Sequence, residues 1–305
     1  MSKRLLAIVA SLALLGGFVG LGKRVGRHLH QAPTPVASLR FVVVGDTGTG
    51  LPNEYLVASR IGRTCAERGC DFLVLLGDNV YPGGVTSVDD PQWEQKVRAP
   101  YLSMGYRVRA ILGGHDYGDD FPDLTRANAQ LAYSKVEPRW EMPARFHGSS
   151  EGPALLLFLD TSPFGYSTGT YAAEQAAYVR EIAGSATNPW RIAFGHDPYL
   201  SNGSEHGSAT GERAAFLTDV LCPNVDVYFA GHSHHREVFA KPDGCPVTQV
   251  ISGAGAKTFP VVDELPSLFK SSTLGFAYVT VDPGRLTIDM VDAEGLTDFT
   301  LTLTR

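Results

Sequence analysis

The chain has 305 residues, of which 44% are hydrophobic and 19% charged, so it carries enough apolar content for a substantial core and falls outside the disordered, collagenous and coiled-coil classes. Its formal net charge of -6 argues against a phosphate-backbone binder, because such domains gather Lys and Arg on one face, and no nucleic-acid partner is expected.

The first elements in chain order belong to a separate segment. Residues 1–30 open with MSKR, continue with the apolar run LLAIVASLALLGGFVGLG and close with the basic stretch KRVGRHLH. A basic start followed by an apolar run describes a secretory signal, yet the run is long, its downstream flank is basic and no A-x-A cleavage site stands out. Two readings stay open: a cleaved signal peptide, or an uncleaved N-terminal membrane anchor facing outward. Both imply export, to a periplasm, a cell surface or the medium. Residues 31–38, QAPTPVAS, read as a linker, which leaves 39–305 as one domain. The even count of cysteines, Cys65, Cys70, Cys222 and Cys245, suits an oxidising compartment. It permits three pairings, with the local ones, Cys65 to Cys70 and Cys222 to Cys245, preferred over the others.

Past the linker, short apolar runs recur: Phe41 to Val44, Phe72 to Leu76, Val108 to Leu112, Ala154 to Leu159, Arg191 to Phe194 and Val225 to Ala230. Their length and their Gly, Asp and Pro borders predict strands buried on both faces. Helical patterns intervene, YLVASRIGRTCAERG before the second run and TYAAEQAAYVREIAG before the fifth, and the alternation predicts an α/β fold.

The residues that follow these runs carry the chemistry. In order they are GD (Gly45, Asp46), GDNVY (Gly77 to Tyr81), GGHD (Gly113 to Asp116), GHD (Gly195 to Asp197) and GHSHH (Gly231 to His235). Loops at the carboxyl ends of strands are where α/β proteins place ligands. Carboxylates and imidazoles delivered there together suit iron, zinc or manganese, and the absence of cysteine disfavours a structural zinc site. Glycine ahead of each ligand predicts a sharp turn and a close backbone approach. Two ions sharing one carboxylate are the usual device for hydrolysing a phosphate ester. Other patterns fail: GDTGTG is not G-x-G-x-x-G, SGAGAKT lacks the glycine before the P-loop lysine, no G-x-S-x-G elbow occurs, and the sequon at Asn202 matters only in a source that glycosylates.

The ordered set GDTG, GDNVY, GGHD, GHD and GHSHH resembles the calcineurin-like metallophosphoesterases, and Tyr81 narrows the resemblance to the purple acid phosphatases. AQLAYSKVEPRWEMPARF, FLDTS, SNGSEHG, VISGAGA and GFAYVTVD are similar to the small, tartrate-resistant branch, and the likeness runs from about Arg40 to Arg305. It implies two mixed β-sheets packed as a sandwich flanked by helices, with both ions at one edge. The first ion, Fe(III), takes Asp46, Asp78, Tyr81 and His234. The second, divalent Fe, Zn or Mn, shares Asp78 and takes His196 and His232. Asn79 and His235 orient ligands. His115 contacts the phosphate and protonates the leaving alkoxide, with Asp116 as its orienting partner, and His206 binds phosphate. His147 has no motif and is read as structural. The family's asparagine ligand is replaced by Gly114, so the second ion is expected to be held weakly, with water or a carboxylate such as Asp119 or Asp120 in the asparagine's place.

The function so implied is a phosphomonoesterase of the acid phosphatase type, a monomer acting on a phosphorylated small molecule or phosphoprotein, in which the metal pair activates water for in-line attack on phosphorus. A phosphodiesterase or pyrophosphatase with the same centre is the alternative within enzymes. A phosphate-binding relative that has lost turnover is the alternative outside them.

Overall fold

The computed structural model describes residues 38–118, 123–164, 170–241 and 244–305. The signal-or-anchor segment, Asp119 and Asp120 fall outside these residues, as does the linker apart from Ser38. Among the described residues no helix is long and apolar enough to cross a membrane.

In chain order the strands and principal helices are β1 (Leu39–Val44), α1 (Pro52–Arg68), β2 (Phe72–Leu75), β3 (Arg107–Ala110), α2 (Leu124–Tyr133), β4 (Trp140–Glu141), β5 (His147–Glu151), β6 (Ala154–Phe158), α3 (Thr170–Ser185), β7 (Trp190–Phe194), α4 (Gly211–Phe216), β8 (Val227–Ala230), β9 (Arg236–Phe239), β10 (Thr248–Ser252), β11 (Phe269–Ser271), β12 (Gly275–Asp282), β13 (Arg285–Asp292) and β14 (Thr297–Thr304). They form two seven-stranded mixed sheets, β14-β13-β12-β1-β2-β3-β4 and β11-β9-β10-β8-β7-β6-β5. Strands β1 to β4 are parallel, as are β6, β7, β8 and β10; antiparallel strands close both edges of the second sheet and the β14 edge of the first, whose other edge is the parallel β4.

Alternation along β1 explains the layering. Phe41 and Val43 face the second sheet, whereas Val42 and Val44 face Val57, Ala58 and Ile61 of α1. Between the sheets Phe41 stacks on Phe72 at 5.0 Å, and Phe194 stacks on Phe158 at 5.0 Å and on Phe229 at 5.5 Å. Each such side chain removed from water contributes about 1.5–3 kcal/mol. Leu155 and Leu157 turn to the other face of the second sheet and pack with Ala176 and Val179 of α3. The expected α/β sandwich of two mixed sheets is therefore present, with its parallel strands buried on both faces as their unbroken apolar runs predict. Both local disulfides form, Cys65–Cys70 and Cys222–Cys245.

A buried polar pin joins the sheets' loops beside the strand ends. Asp160, just after β6, accepts the hydroxyls of Tyr117 and Tyr171, the second at 2.6 Å. Burial pushes its carboxyl up to about 7, the two hydroxyls only partly opposing the shift. An unfolded Asp160 ionises near pH 4, so between about pH 4 and 7 the unfolded chain sheds a proton that the folded one keeps, and folding loses on the order of 4 kcal/mol across that window. Asp160→Asn keeps a carbonyl for both hydroxyls and does not ionise. Denaturant midpoints of the metal-free proteins are expected to coincide near pH 4 and to favour the variant above pH 7; parallel curves would contradict this.

Candidate metal centre

The carboxyl ends of β1, β2, β7 and β8 meet along one rim, laced by backbone hydrogen bonds. Asp46 N donates to Gly77 O at 3.1 Å, Gly231 N to His196 O at 2.9 Å, and Gly45 N to Ser252 O at 2.7 Å. Four of the expected ligands hold left-handed backbone there: Asp46 (φ 59°), Asp78 (φ 53°), His232 (φ 65°) and His234 (φ 50°). The one other non-glycine residue with positive φ among the described residues is Lys241. Such conformations cost about 1–3 kcal/mol each and concentrate where function requires them.

This corrects the reading that glycines supply the turns, since Gly77 (φ 87°) is the only ligand-preceding glycine with left-handed φ. The others make room. A Cβ on Gly113 would stand 2.3 Å from both the backbone nitrogen and Oδ1 of Asp78, and one on Gly231 would stand 2.7 Å from Asp46 Oδ2. The loops therefore close on one another only because these side chains are absent.

Within the rim, Asp46, Asp78 and His196 each offer a donor atom, all within 4.8 Å of one another and all buried. Tyr81 Oη donates to Asp78 Oδ2 at 2.8 Å and lies 3.3 Å from both Asp46 Oδ1 and His234 Nε2. His234 Nε2 is 3.7 Å from Asp46 Oδ1, and His196 Nε2 is 3.6 Å from Asp78 Oδ1. His232 stands beside His196, ring centroids 5.1 Å apart. The contacts fall into two groups, Asp46 with Tyr81 and His234, and His196 with His232, and Asp78 reaches both.

Electrostatics describe a site built for positive charge. Burial pushes Asp46 well above the usual carboxylate range, with Asp78 adding to the shift against the opposing pull of His196. Burial also raises Asp78, but His196 and His115 overcome it and hold the group below its ordinary value. Burial works against a charged His196, yet Asp78 and Asp46 raise it to about 9. Burial lowers His232 to about 3 and His234 to about 4, which keeps both rings neutral with lone pairs to give. The Nε2 of His196 is buried without a hydrogen-bond partner, while its Nδ1 faces Leu76 O at 2.8 Å. Buried carboxylates without a compensating cation are costly, and an orphaned imidazole nitrogen beside them is a ligand atom without a ligand. Oxygen and imidazole donors of this kind fit iron, zinc or manganese.

The other expected residues divide. His115 and His206 both line the cavity of about 470 Å³ that opens over Asp78, His196 and His232. His115 Nδ1 lies 2.5 Å from Pro82 O, and its ring is 4.5 Å from that of Tyr81. The carbonyl of His206 accepts from Ser201 Oγ at 2.9 Å and Ser233 Oγ at 3.0 Å, and its ring lies 4.4 Å from that of His232. Gly114 lies on the cavity wall.

Asp116 is a correction. It does not orient the His115 ring: it is fully buried and turned into the protein, where it accepts from Asn79 N at 3.0 Å, Val80 N at 3.2 Å, Gly113 N at 2.9 Å and Gln130 Nε2 at 2.6 Å. A carboxylate has lone pairs enough to collect these donors, and burial without them would be prohibitive. The Pro82 carbonyl takes the orienting place beside His115. Asn79 joins the same network through Ile111 O at 2.7 Å, and His235 Nε2 meets Glu237 Oε2 at 2.8 Å. His147 stacks on Phe158 at 4.8 Å and does not line the cavity. The sequon carries no glycan on the folded chain, because Asn202 is buried with its amide nitrogen on Glu237 Oε1 at 2.6 Å and Leu265 O at 2.9 Å.

Four cavity residues were given no role by sequence reasoning: Gly118, Ser162, Asp197 and Arg213. Asp197 stands directly after His196 and Ser162 closes the FLDTS stretch, whereas Arg213 left no signal.

Comparison with known proteins gives a consistent result. The family profile described as Calcineurin-like phosphoesterase matches residues 39–236. The chain is 27% identical to tartrate-resistant acid phosphatase type 5 of Sus scrofa over 99% of this chain and 95% of that one. It is 30% identical to purple acid phosphatase 4 of Arabidopsis thaliana over 83% and 80%. Among solved structures, GAP50, the anchor in the inner membrane complex of Plasmodium, superposes with a TM-score of 0.71 at 22% identity, covering 88% of this chain and 89% of its own.

Proposed function

For a chain that belongs to the calcineurin-like phosphoesterases, with purple and tartrate-resistant acid phosphatases as its relatives, we propose a phosphomonoesterase working at a two-metal centre. The observation that carries the reading is the convergence of Asp46, Asp78 and His196 donor atoms within 4.8 Å beneath a cavity that also bears His115 and His206. Asp46, Asp78, Tyr81 and His234 would hold Fe(III), and Asp78, His196 and His232 a divalent ion. Such a pair, when bound, supplies an activated water and neutralises charge on the phosphoryl oxygens.

The chain's own side chains do the rest. Because the Pro82 carbonyl takes the Nδ1 hydrogen of His115, Nε2 is the nitrogen turned to substrate, and a protonated ring gives its Nε2 hydrogen to the departing alkoxide as the P–O bond breaks. His206, fixed through its carbonyl by two serine hydroxyls, binds a phosphoryl oxygen. The substrate is a phosphorylated small molecule or phosphoprotein, the working form a monomer, and the two disulfides together with the apolar run in residues 1–30 support export.

Elemental analysis of purified protein alongside hydrolysis of an aryl phosphate tests the reading, with a diester and pyrophosphate as controls. Two metals per chain and faster monoester turnover are expected; preference for a diester or pyrophosphate would replace the assignment. Iron-loaded protein is expected to absorb visible light through a Tyr81 phenolate and to bleach in Tyr81→Phe, and a colourless wild type would remove Tyr81 from the ligand set.

Gly114 weakens the divalent site on this reading. Its backbone is helical (φ -58°, ψ -47°), and a Cβ there would meet nothing within 4 Å. The backbone and the space for a Cβ therefore admit Gly114→Asn, which is expected to slow metal loss to a mild chelator, with affinity gained by about 10–100-fold. Equal retention by wild type and variant would refute the weakened site.

A further inference from the structure

The cavity over the metal centre is larger than a phosphate requires. At about 470 Å³ it falls within the range of roughly 300–1,000 Å³ of sites that enclose a whole small molecule. Part of its wall is a built cationic group with no part in the chemistry above. Arg213, on α4, sets Nη1 3.2 Å from Asp197 Oδ1, Nη2 3.2 Å from Ser162 O and Nε 3.4 Å from Thr161 O. Asp197 is in turn held by Thr161 Oγ1 at 2.7 Å and Ser162 Oγ at 3.5 Å. The two partners differ in access: the Arg213 side chain is 25% exposed and that of Asp197 only 4%. Both residues line the cavity, and the guanidinium-bearing side chain is the more exposed of the two.

This arrangement is rigid and incomplete. Nε and Nη2 each donate one N–H, to Thr161 O and Ser162 O, and Nη1 stands in an ion pair with Asp197, so the N–H groups of Nη1 and the second of Nη2 remain to donate. A planar fork held in place loses little entropy when it takes another oxyanion. Asp197 offsets much of the charge, so what the fork offers a further anion is hydrogen bonding more than net charge, and a dianion beside Asp197 is accommodated less well than a monoanion. A planar carboxylate also fits the fork.

We propose that Arg213 is a specificity residue that binds a carboxylate on the alcohol portion of the phosphate ester, making carboxylate-bearing phosphomonoesters the preferred substrates. The proposal rests on the phosphomonoesterase reading for its reaction, and the test separates the two.

Metal-loaded full-length protein is assayed on propyl phosphate, on 3-(phosphonooxy)propanoate, which adds a terminal carboxylate, and on propane-1,3-diol bisphosphate, which adds a second phosphate. The uncleavable pair butylphosphonate and 4-phosphonobutanoate is titrated by calorimetry. Wild type is expected to favour the carboxylate of each pair by about 10–100-fold, the worth of one charge-assisted hydrogen-bonded contact. Arg213→Gln is expected to bring that ratio to about one. Arg213→Lys, which keeps the charge beside Asp197 but not the fork, is expected to fall between. A wild type without the preference, or a ratio that survives in Arg213→Gln while all substrates slow together, overturns the proposal and assigns Arg213 to holding Asp197. Preference for the bisphosphate overturns the choice of carboxylate. Arg213-dependent phosphonate binding without turnover of any ester keeps the subsite and removes the phosphatase reading, whereas turnover without a carboxylate preference does the reverse.

Discussion

Asp78→Asn protein is expected to emerge with both metals depleted, to retain less than about a hundredth of wild-type metal affinity, and to be less stable than wild type even when both are stripped of metal. Outer-shell substitutions commonly cost about 10–100-fold, and Asp78 reaches both ligand groups, with Oδ2 at 2.8 Å from Tyr81 Oη and Oδ1 at 3.6 Å from His196 Nε2. The loss of metal-free stability follows from the same position. Against the effect of burial, His196 and His115 hold the Asp78 carboxyl below its ordinary value, so its charge stabilises the folded chain, and removing it takes away a buried counter-charge of His196. Metal content by elemental analysis and denaturant midpoints in chelator check the two halves. A variant that holds two metals would move the shared ligand elsewhere.

Alanine in place of His115 is expected to lower turnover by about 10² to 10⁴ with metal content unchanged, because on the proposed mechanism the lost group is the proton donor, a ring that lines the cavity with Nδ1 committed to Pro82. His206→Ala is expected to fall in the same range, with more of the effect in KM. Esters of acidic alcohols, whose alkoxides leave without a proton, should be far less affected by His115→Ala than alkyl esters. Equal loss on both, or departure of a metal, would contradict the general-acid role.

Much of this site was legible because ligand chemistry travels in short motifs. Gly77 to Tyr81 and Gly231 to His235 each place several donors within one turn of chain, and buried parallel strands declare themselves as apolar runs. The edges did not. Strand β14 does carry a period of two, Phe299, Leu301 and Leu303 alternating with polar residues, which a search for unbroken apolar runs passes over; β11 is three residues long and β4 has two, so neither shows a sustained period. The misassigned Asp116 had a different cause: adjacency to His115 says nothing about direction, and successive residues in a tight turn point apart. Arg213 stayed silent because its meaning lies in Asp197, sixteen residues upstream in chain and in contact only after folding.

The inward turn of Asp116 has a consequence for mutational interpretation. One carboxylate collects Asn79 N and Val80 N from the loop after β2 and Gly113 N from the loop after β3. The segment that brings Asp78 and Tyr81 and the segment that brings His115 are therefore one mechanical unit, further fastened by His115 N donating to Asp78 Oδ1 at 2.9 Å. Effects of substitutions in the two segments will not sum. In a double-mutant cycle, Asp116→Asn combined with His115→Ala should cost less than the product of the single losses, since the first already displaces what the second removes. Variation at either loop is thus filtered through a residue that touches neither metal nor substrate.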